Sequence, residues 1–425
     1  MHKDFDINIE HLSKTEGHAD LEIRVRNGKV EDVKLKISEN KRFYTQAIRN
    51  KVFNSVPQLV SRICGTCSIA HLTCSIEAVE KALGIQPSEQ TILLRKLAMY
   101  GMMIRDHAMH LYFFVLPDVF EKDSILDFDK SLSKWVEQAF AIKGAGNNLS
   151  KLIAGRAVHA TYEQIGYFSN LPKKDDVKKI IEELKAVRQD VFDLLDLLYE
   201  CKFKFERKTN YVALCTDDFS FLEGRIKSSD GVEIAEEDYW DYLNRVIIPY
   251  SQATGFKFEG KEYMVGAIAR LALNKDALHR DAKRDAQKYL SVFPSFNVFH
   301  NNLAQAIEIL HSIDHSIEIL ETTEFKEEPR PEIKLKAGKG IGVVEAPRGT
   351  LYHMIDLTSD GKVRYGNFVI PTAQNQIKME NDIKMLVEQM LDRDEHEIQH
   401  EIEKLIRAYD PCMSCASHFL RIKWS

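Results

Sequence analysis

Four of the seven cysteines form two C-x-x-C pairs, Cys64 with Cys67 and Cys412 with Cys415. One short turn with this spacing can present two thiolates to a single metal, and thiolates favour zinc, copper, nickel or iron–sulfur clusters. The two pairs of a structural zinc site usually lie about 15–20 residues apart. Here the two pairs are 348 positions apart, which favours a buried reactive centre over a site that only stabilises the fold. A structural zinc site with four cysteine ligands remains the alternative at this point.

The composition of the chain restricts which classes of function are possible. The 425 residues are 44% hydrophobic and 29% charged, as in an ordinary globular protein. The net charge of −6 argues against a nucleic-acid partner, which requires a concentrated basic face. No segment reaches the roughly 20 apolar residues of a membrane span, and the N-terminus lacks the apolar region of a signal peptide. An odd number of cysteines is not typical of a disulfide framework, so we expect Cys74, Cys201 and Cys215 to be buried as small apolar side chains.

Two hairpins and several helices are predicted from residue patterns. Apolar residues alternate on both sides of Asn27-Gly28, and again on both sides of Asp360-Gly361, which predicts two β-hairpins. Apolar residues at helical spacing predict a long helix over 177–198, with Asp175 or Asp176 as its N-cap, and further helices over 301–320 and near the C-terminus.

The predicted fold class is therefore α+β and helix-dominated, with long central helices and small antiparallel sheets near both ends. The charged segment 322–339 is expected to be a surface connection. We divide the chain into an N-terminal β-hairpin region (1–60), a helical core with the first cysteine pair (61–330), and a β-hairpin and C-terminal helical region with the second pair (331–425).

The residues around the two cysteine pairs resemble those of a known family. The first pair lies in Arg62-Ile63-Cys64-Gly65-Thr66-Cys67-Ser68-Ile69-Ala70-His71, and the second in Asp410-Pro411-Cys412-Met413-Ser414-Cys415-Ala416-Ser417-His418. These segments match R-x-C-G-x-C-x-x-x-H and D-P-C-x-x-C-x-x-H, the two signatures of nickel–iron hydrogenase large subunits. Further landmarks occur in family order: Glu16-Gly17-His18, Gly155-Arg156 with His159, Glu345-Ala346-Pro347-Arg348-Gly349, and Pro371-Thr372. The resemblance spans nearly the whole chain and is strongest to cytoplasmic multi-subunit hydrogenases and sulfhydrogenases.

The resemblance implies the hydrogenase large-subunit fold and a nickel–iron site for the reversible heterolytic cleavage of H2. Cys64 and Cys412 would be terminal ligands of nickel, while Cys67 and Cys415 would bridge nickel to an iron that carries cyanide and carbon monoxide. Cys412 would be the first base for the proton, and Glu16 would relay it, because a carboxyl whose pKa is raised by burial can transfer protons near neutral pH.

The resemblance also implies roles for polar residues around the metals. The Arg348 guanidinium would donate hydrogen bonds to an anionic ligand such as cyanide, although a role as base stays open. Asp106 and Asp410 would hold this guanidinium. Thr372, after Pro371, would be a second cyanide donor. His71 would donate to the sulfur of a bridging thiolate.

Two features near the chain ends depart from the family pattern. Its large subunits usually lose a C-terminal tail after the last histidine of the second signature, and here seven residues, Phe419–Ser425, follow His418. The family also binds magnesium or iron with that histidine and a glutamate of an R-F-F-E-like segment. The corresponding segment, Arg42-Phe43-Tyr44-Thr45-Gln46, lacks the glutamate, and its Thr and Gln are weaker ligands for a hard cation.

The implied partners are an iron–sulfur small subunit, further electron-transfer subunits, a maturation protease and a nickel chaperone. We expect a cytoplasmic location. Besides the zinc site, two relatives are alternatives: a hydrogen-sensing regulatory protein with the same ligands, and the quinone-module subunit of respiratory complex I, which lacks the cysteines present here.

Overall fold

The computed structural model describes residues 4–39 and 43–417, and helices dominate it. The strands are β1 Phe5–Ile9, β2 Ala19–Arg26, β3 Lys29–Ile37, β4 Glu163–Gln164, β5 Tyr167–Phe168, β6 Val212–Cys215, β7 Arg225–Ser228, β8 Glu233–Ile234, β9 Leu243–Ile247, β10 Thr254–Phe258, β11 Gly338–Ala346, β12 Gly349–Leu357 and β13 Val363–Val369. The helices are α1 Tyr44–Ala47, α2 Val56–Val60, α3 Ser68–Leu83, α4 Glu89–Met109, α5 Leu116–Val119, α6 Ser133–Ala154, α7 Lys174–Glu200, α8 Tyr239–Tyr242, α9 Ala267–Asn274, α10 Arg280–Asp285, α11 Gln287–Leu290, α12 His300–Thr322, α13 Pro371–Gln389, α14 Glu395–Ala408 and α15 Met413–Ala416.

The predicted N-terminal hairpin is confirmed. Strands β2 and β3 pair antiparallel, and Asn27 and Gly28 both have positive φ angles, of 53° and 69°, as a type I′ turn requires. Strand β1 pairs with the other edge of β2, so the sheet has three strands. The inward side chains Leu21, Ile23 and Val25 are at most 1% exposed, because alternation places them on one face.

Four long helices, α4, α6, α7 and α12, pack together in the centre. Helix α7 confirms the predicted 177–198 helix, and its apolar stripe is buried. The predicted N-cap was wrong: Lys173 is the N-cap, and Asp175 and Asp176 lie in the first turn. Carboxylates in a first turn are stabilised by the positive end of the helix dipole, so acidic residues there do not identify the cap itself. Helix α4 continues through a π-helical turn, His110–Val115, into α5.

The second sheet contains β11, β12 and β13, so the predicted hairpin around Gly361 gains a strand that the sequence analysis missed. Strand β11 packs directly on α3. A Cβ at Gly340 would lie 1.9 Å from the carbonyl oxygen of Ala78, and one at Gly342 would lie 2.0 Å from that of Cys74. Two strand residues span about 6.7 Å and four helix residues about 6 Å, so alternate glycines face successive helix turns. This contact joins the helix that follows Cys67 to the strand that precedes Arg348.

Three smaller antiparallel sheets, β4–β5, β6–β8 and β9–β10, lie between the two terminal regions. Helices over 301–320 and near the C-terminus are confirmed by α12, α13 and α14. Residues 324–337 form no helix or strand and are mostly exposed, as expected for a connection. No helix in the described part of the chain has the length and apolar character to cross a membrane. The three-region division at 60/61 and 330/331 stays a prediction.

Candidate metal centre

The structure brings the four paired cysteines into one buried cluster. Their sulfur atoms all lie within 4.8 Å of one another, the only such group of potential metal ligands in the described ranges. The Cys64 and Cys412 sulfurs are 3.5 Å apart, and those of Cys67 and Cys415 are 3.2 Å apart. The Cys412 and Cys415 sulfurs, within the second motif, are 3.0 Å apart. Contacts both within and between the two motifs therefore hold the four sulfurs together.

Short turns hold both motifs in place. Cys64 is extended after a 3₁₀ turn, and Cys67 directly precedes α3, so both thiols lie at one end of that helix. Cys412 precedes α15, which contains Cys415. The segment around Glu16 runs parallel to Cys412, and the N–H of Met413 donates to the carbonyl oxygen of Glu16 at 2.8 Å. The N-terminal segment thus holds the second motif against the first.

The thiols have strongly perturbed acidity. Burial raises the pKa of the Cys412 and Cys415 thiols. Hydrogen bonds from the neighbouring thiols, above all Cys412, lower the pKa of Cys64 well below its ordinary value. A bound cation favours full deprotonation of coordinating thiols.

Glu16 reaches the cluster directly. Its Oε2 lies 3.0 Å from the Cys412 sulfur and accepts from the N–H of Ser414 at 3.2 Å. Burial raises the pKa of this carboxyl, and the charge of Cys64 adds to the effect. A carboxyl with these contacts can exchange a proton with the sulfur.

Arg348 lies above the cluster between two carboxylates. Its Nη1 donates to Asp106 at 2.7 Å, and Nη2 lies 3.0 Å from Asp410 Oδ1 without hydrogen-bond geometry. Burial disfavours the charged guanidinium, but Asp106 and Asp410 outweigh burial and raise the pKa of Arg348. Its Nε and Nη2 have no hydrogen-bond partner among the described residues, although both are buried. Such donors are costly to bury unpaired, so they indicate an acceptor that belongs at this site.

A small cavity adjoins these groups. Its sulfur-bearing and polar lining is Cys67, His71, Arg348, Thr372, Cys412 and Cys415, and Pro371 is also part of the wall. Pro371 begins α13, and the hydroxyl oxygen of the next residue, Thr372, accepts from the N–H of Cys412 at 2.9 Å. That contact leaves the hydroxyl proton of Thr372 available for donation.

His71 approaches a cluster sulfur from the side of α3. Its Nε2 lies 3.7 Å from Cys415, and its Nδ1 lies 3.1 Å from Nε2 of His353. His418, the candidate ligand of a second metal, lies outside the described residues. The structure therefore brings together Cys64, Cys67, Cys412, Cys415, Glu16, Arg348, Asp106, Asp410, Pro371, Thr372 and His71.

The donor set fits nickel and iron. Four thiolates suit soft or borderline metals, and a cluster of four can supply both terminal and bridging ligands. Four sulfurs alone also suit a structural zinc ion. A structural zinc site, however, does not account for a cavity lined by a guanidinium with two unpaired donors, because such a site is closed by its four protein ligands.

Several polar residues around this centre were missed by the sequence analysis. His353 contacts His71, Gln305 donates to Asp410 at 2.8 Å, and Arg105 donates to the carbonyl oxygen of Thr66 at 2.6 Å. One signal was available: Gln305 and Glu308 interrupt the otherwise apolar run 303–310, and Asn301 lies one helical turn before Gln305.

The remaining cysteines lie outside the cluster. Cys74 and Cys215 are buried as expected, whereas Cys201 is only partly buried. Burial raises the pKa of Cys215 to about 12, so its thiol stays neutral.

Comparison with known proteins gives a consistent result. Residues 44–172 and 242–418 match a family model described as nickel-dependent hydrogenase. The chain is 33% identical over 426 residues to sulfhydrogenase 1 subunit alpha of Pyrococcus furiosus, with 98% of each chain covered. It is 32% identical over 419 residues to sulfhydrogenase 2 subunit alpha of the same organism, covering 98% of this chain and 100% of the relative.

A solved structure shares the fold. The chain superposes on a subunit of an NAD+-reducing [NiFe]-hydrogenase in the H2-reduced state with a TM-score of 0.86, at 24% identity, covering 97% of this chain and 99% of that one. The predicted helix-dominated large-subunit fold is thereby confirmed. Together with the family model and the Pyrococcus relatives, this places the chain in the nickel-dependent hydrogenase family as a large subunit.

Proposed function

We propose that this chain is the catalytic nickel–iron subunit of a hydrogenase, which reversibly cleaves H2 and passes the electrons to an iron–sulfur partner subunit. The observation that carries this proposal is the buried four-sulfur cluster, with the Arg348 guanidinium above it and the Glu16 carboxyl against Cys412. The cluster can bind two metals, the guanidinium can bind an anionic ligand, and the carboxyl can take a proton away.

Cys64 and Cys412 would hold nickel as terminal ligands, and Cys67 and Cys415 would bridge nickel to iron. The mutual proximity of the four sulfurs, all within 4.8 Å of one another, allows this division. When bound, the metals supply the Lewis acidity that polarises H2 and the redox capacity that accepts its electrons. Cyanide and carbon monoxide would complete the coordination of the iron. The unpaired Arg348 donors fit the cyanide, and Thr372 would be the second donor.

The protein would remove the proton in two transfers. The Cys412 sulfur accepts it first, and Glu16 Oε2 takes it across the 3.0 Å contact. Arg348 stays charged, since its two carboxylate neighbours favour the guanidinium, so its role is to orient and stabilise rather than to act as a base. His71 would donate to the Cys415 sulfur, which lowers the electron density on a bridging ligand.

Electrons would leave on the side of Cys64. Gly65 and Val158 are exposed there, with Val158 at 39%, and the exposed Arg62 and Arg156 lie beside them. Burial lowers the pKa of His159 at this face, and the charge of Arg62 adds to the effect. A cationic face with an exposed apolar side chain fits a protein partner whose surface is complementary in charge, and we assign this face to the small subunit. Further electron-transfer subunits and a cytoplasmic location are proposed by analogy with the relatives.

Maturation would involve the C-terminus. We include in the proposal a nickel chaperone, a protease that cleaves after His418, and a magnesium or iron ion bound at that histidine. Burying the charged groups of Arg421 and Lys423 without partners would cost roughly several kcal/mol for each charge. This cost favours removal of the tail. The active subunit would then end at His418, and its intact mass tests this; an active, nickel-loaded chain of full length would contradict it.

Metal analysis of the purified complex, combined with an H2-dependent dye-reduction assay, tests the function. We expect about one nickel and one iron per chain and rapid turnover. Zinc alone would overturn the proposal. Both metals with very slow turnover would instead identify a hydrogen-sensing regulatory relative.

A further inference from the structure

Helix α12 carries a stripe of buried polar residues, one of which contacts a carboxylate beside Arg348. Asn301, Gln305 and Glu308 are at most 2% exposed, and their spacing of four and three residues places them on one helix face. Uncompensated burial of an amide or a carboxylate costs several kcal/mol, roughly, so each group needs partners. All three residues have hydrogen-bond partners. The partners of Gln305 and Glu308 in turn contact Arg348 or the backbone directly before it.

Gln305 holds one of the two carboxylates beside Arg348. Its Nε2 donates to Asp410 Oδ2 at 2.8 Å, and its Oε1 lies 2.6 Å from Nδ1 of His110. The opposite oxygen of Asp410, Oδ1, faces Arg348 Nη2. The amide therefore fixes the rotation of the carboxylate that faces the guanidinium.

Glu308 holds a second guanidinium, that of Arg270. The two Glu308 oxygens accept from Arg270 Nε at 2.6 Å and Nη2 at 2.7 Å, and Oε2 also lies 2.8 Å from Nε2 of His107. Burial alone would raise the pKa of Glu308, but Arg270 and His107 outweigh it and lower this pKa. Glu308 is therefore ionised, and it orients Arg270 with bidentate geometry.

The remaining N–H groups of Arg270 donate hydrogen bonds to the turn that contains Arg348. Nη1 donates to Glu345 Oε2 at 2.7 Å and to the carbonyl oxygen of Ala346 at 3.0 Å, and Nη2 donates to the carbonyl oxygen of Pro347 at 3.0 Å. All five N–H groups of Arg270 are thus used. The two peptide carbonyls directly before Arg348 are fixed by one buried side chain.

We propose that Arg270 and Gln305 are positioning residues for the Arg348 guanidinium: Arg270 fixes the backbone before it, and Gln305 fixes the Asp410 carboxylate beside it. The flexible Arg348 side chain is then restrained at both ends, so its Nε and Nη2 keep their places beside the cavity, where an anionic metal ligand would accept from them. The inference rests on the proposed function, since its consequence is a changed environment of that ligand.

Arg270→Lys tests the backbone contact. Lysine keeps the positive charge between Glu308 and Glu345, but its three donors cannot replace five. Arg95→Lys is the matched control, because Arg95 is equally buried and is held by Glu80 and Glu163 in another part of the protein. Both variants are expected to lose thermal stability.

The measurements are nickel and iron content, the infrared bands of the iron's diatomic ligands, and the rate of H2 oxidation. We expect Arg270→Lys to retain both metals, to shift the cyanide bands and to oxidise H2 roughly 10–100-fold more slowly, as for a misplaced catalytic group. Arg95→Lys should keep the wild-type bands. Wild-type bands and rate in metal-loaded Arg270→Lys, or equal band shifts in both variants, would overturn the inference.

Gln305→Met provides a second variant if Arg270→Lys does not fold. Methionine nearly preserves the volume but cannot donate to Asp410, so the same bands should shift with both metals retained. Unshifted bands here would overturn the role of Gln305. Failure of the proposed function is distinguishable, because the wild-type protein would then lack nickel and the infrared bands altogether.

Discussion

Replacing Glu16 by glutamine separates proton transfer from the geometry of the metal centre. The glutamine Oε1 can still accept from the N–H of Ser414, which lies 3.2 Å from the present carboxylate. The amide cannot take a proton from the Cys412 sulfur, which lies 3.0 Å from Glu16 Oε2. Loss of a general acid–base typically costs a factor of about 10²–10⁴. We therefore expect hydrogen–deuterium exchange to fall by that factor, equivalent to roughly 3–5 kcal/mol of activation free energy.

The assay is the release of HD and H2 from D2 in light water, followed by mass spectrometry at saturating D2. Glu380→Gln is the control, because Glu380 is also a largely buried carboxyl with a raised pKa, but it contacts Tyr250 and the N–H of Leu35. Infrared bands of the metal ligands should be unchanged in both variants. Wild-type exchange in Glu16→Gln, with intact bands, would refute the relay through Glu16.

Three further predictions concern the ligands, the packing and the pH dependence of stability. Cys64→Ser should abolish nickel binding and H2 activity because a hydroxyl is a poor ligand for this metal, whereas Cys215→Ala should retain both; full activity in the serine variant would sink the assignment. Gly340→Ala should lower the free energy of unfolding by about 3 kcal/mol or more because its Cβ would lie 1.9 Å from a backbone oxygen. Gly144→Ala, with no neighbour within 4 Å, should instead add about 0.5–1 kcal/mol, and thermal unfolding of both variants checks the pair. Burial raises the pKa of Glu380 to about 7 from 4.5, so the folded state retains a proton that the unfolded chain releases, and stability falls as the pH rises through this window. Glu380→Gln should remove roughly 3 kcal/mol of this decrease in the free energy of unfolding. Denaturant titrations at pH 4.5 and 8 measure the decrease in both proteins. An unchanged pH dependence in the variant would contradict a buried carboxyl with a raised pKa.

Features that depend on neighbouring residues could be predicted from the amino-acid sequence. Asn27-Gly28 predicted its hairpin because a type I′ turn is a property of two residues. The apolar spacing in 177–198 predicted α7 because helical periodicity is local. The two cysteine motifs, with their flanking arginine, aspartate and histidine, were sufficient to indicate the nickel-dependent family, because each motif consists of residues that are close together in the sequence.

Contacts between segments that are distant in the sequence are defined only by the folded protein. No spacing rule relates Gly340 to Ala78, or Gln305 to Asp410, because these contacts depend on how α3, β11 and α12 pack. The missed strand β11 has the same origin: its glycines have low strand propensity, and they are favourable only because a helix backbone lies against them. Likewise, Asn301, Gln305 and Glu308 of α12 are buried in the fold, which is possible because their hydrogen-bond partners come from other segments of the chain.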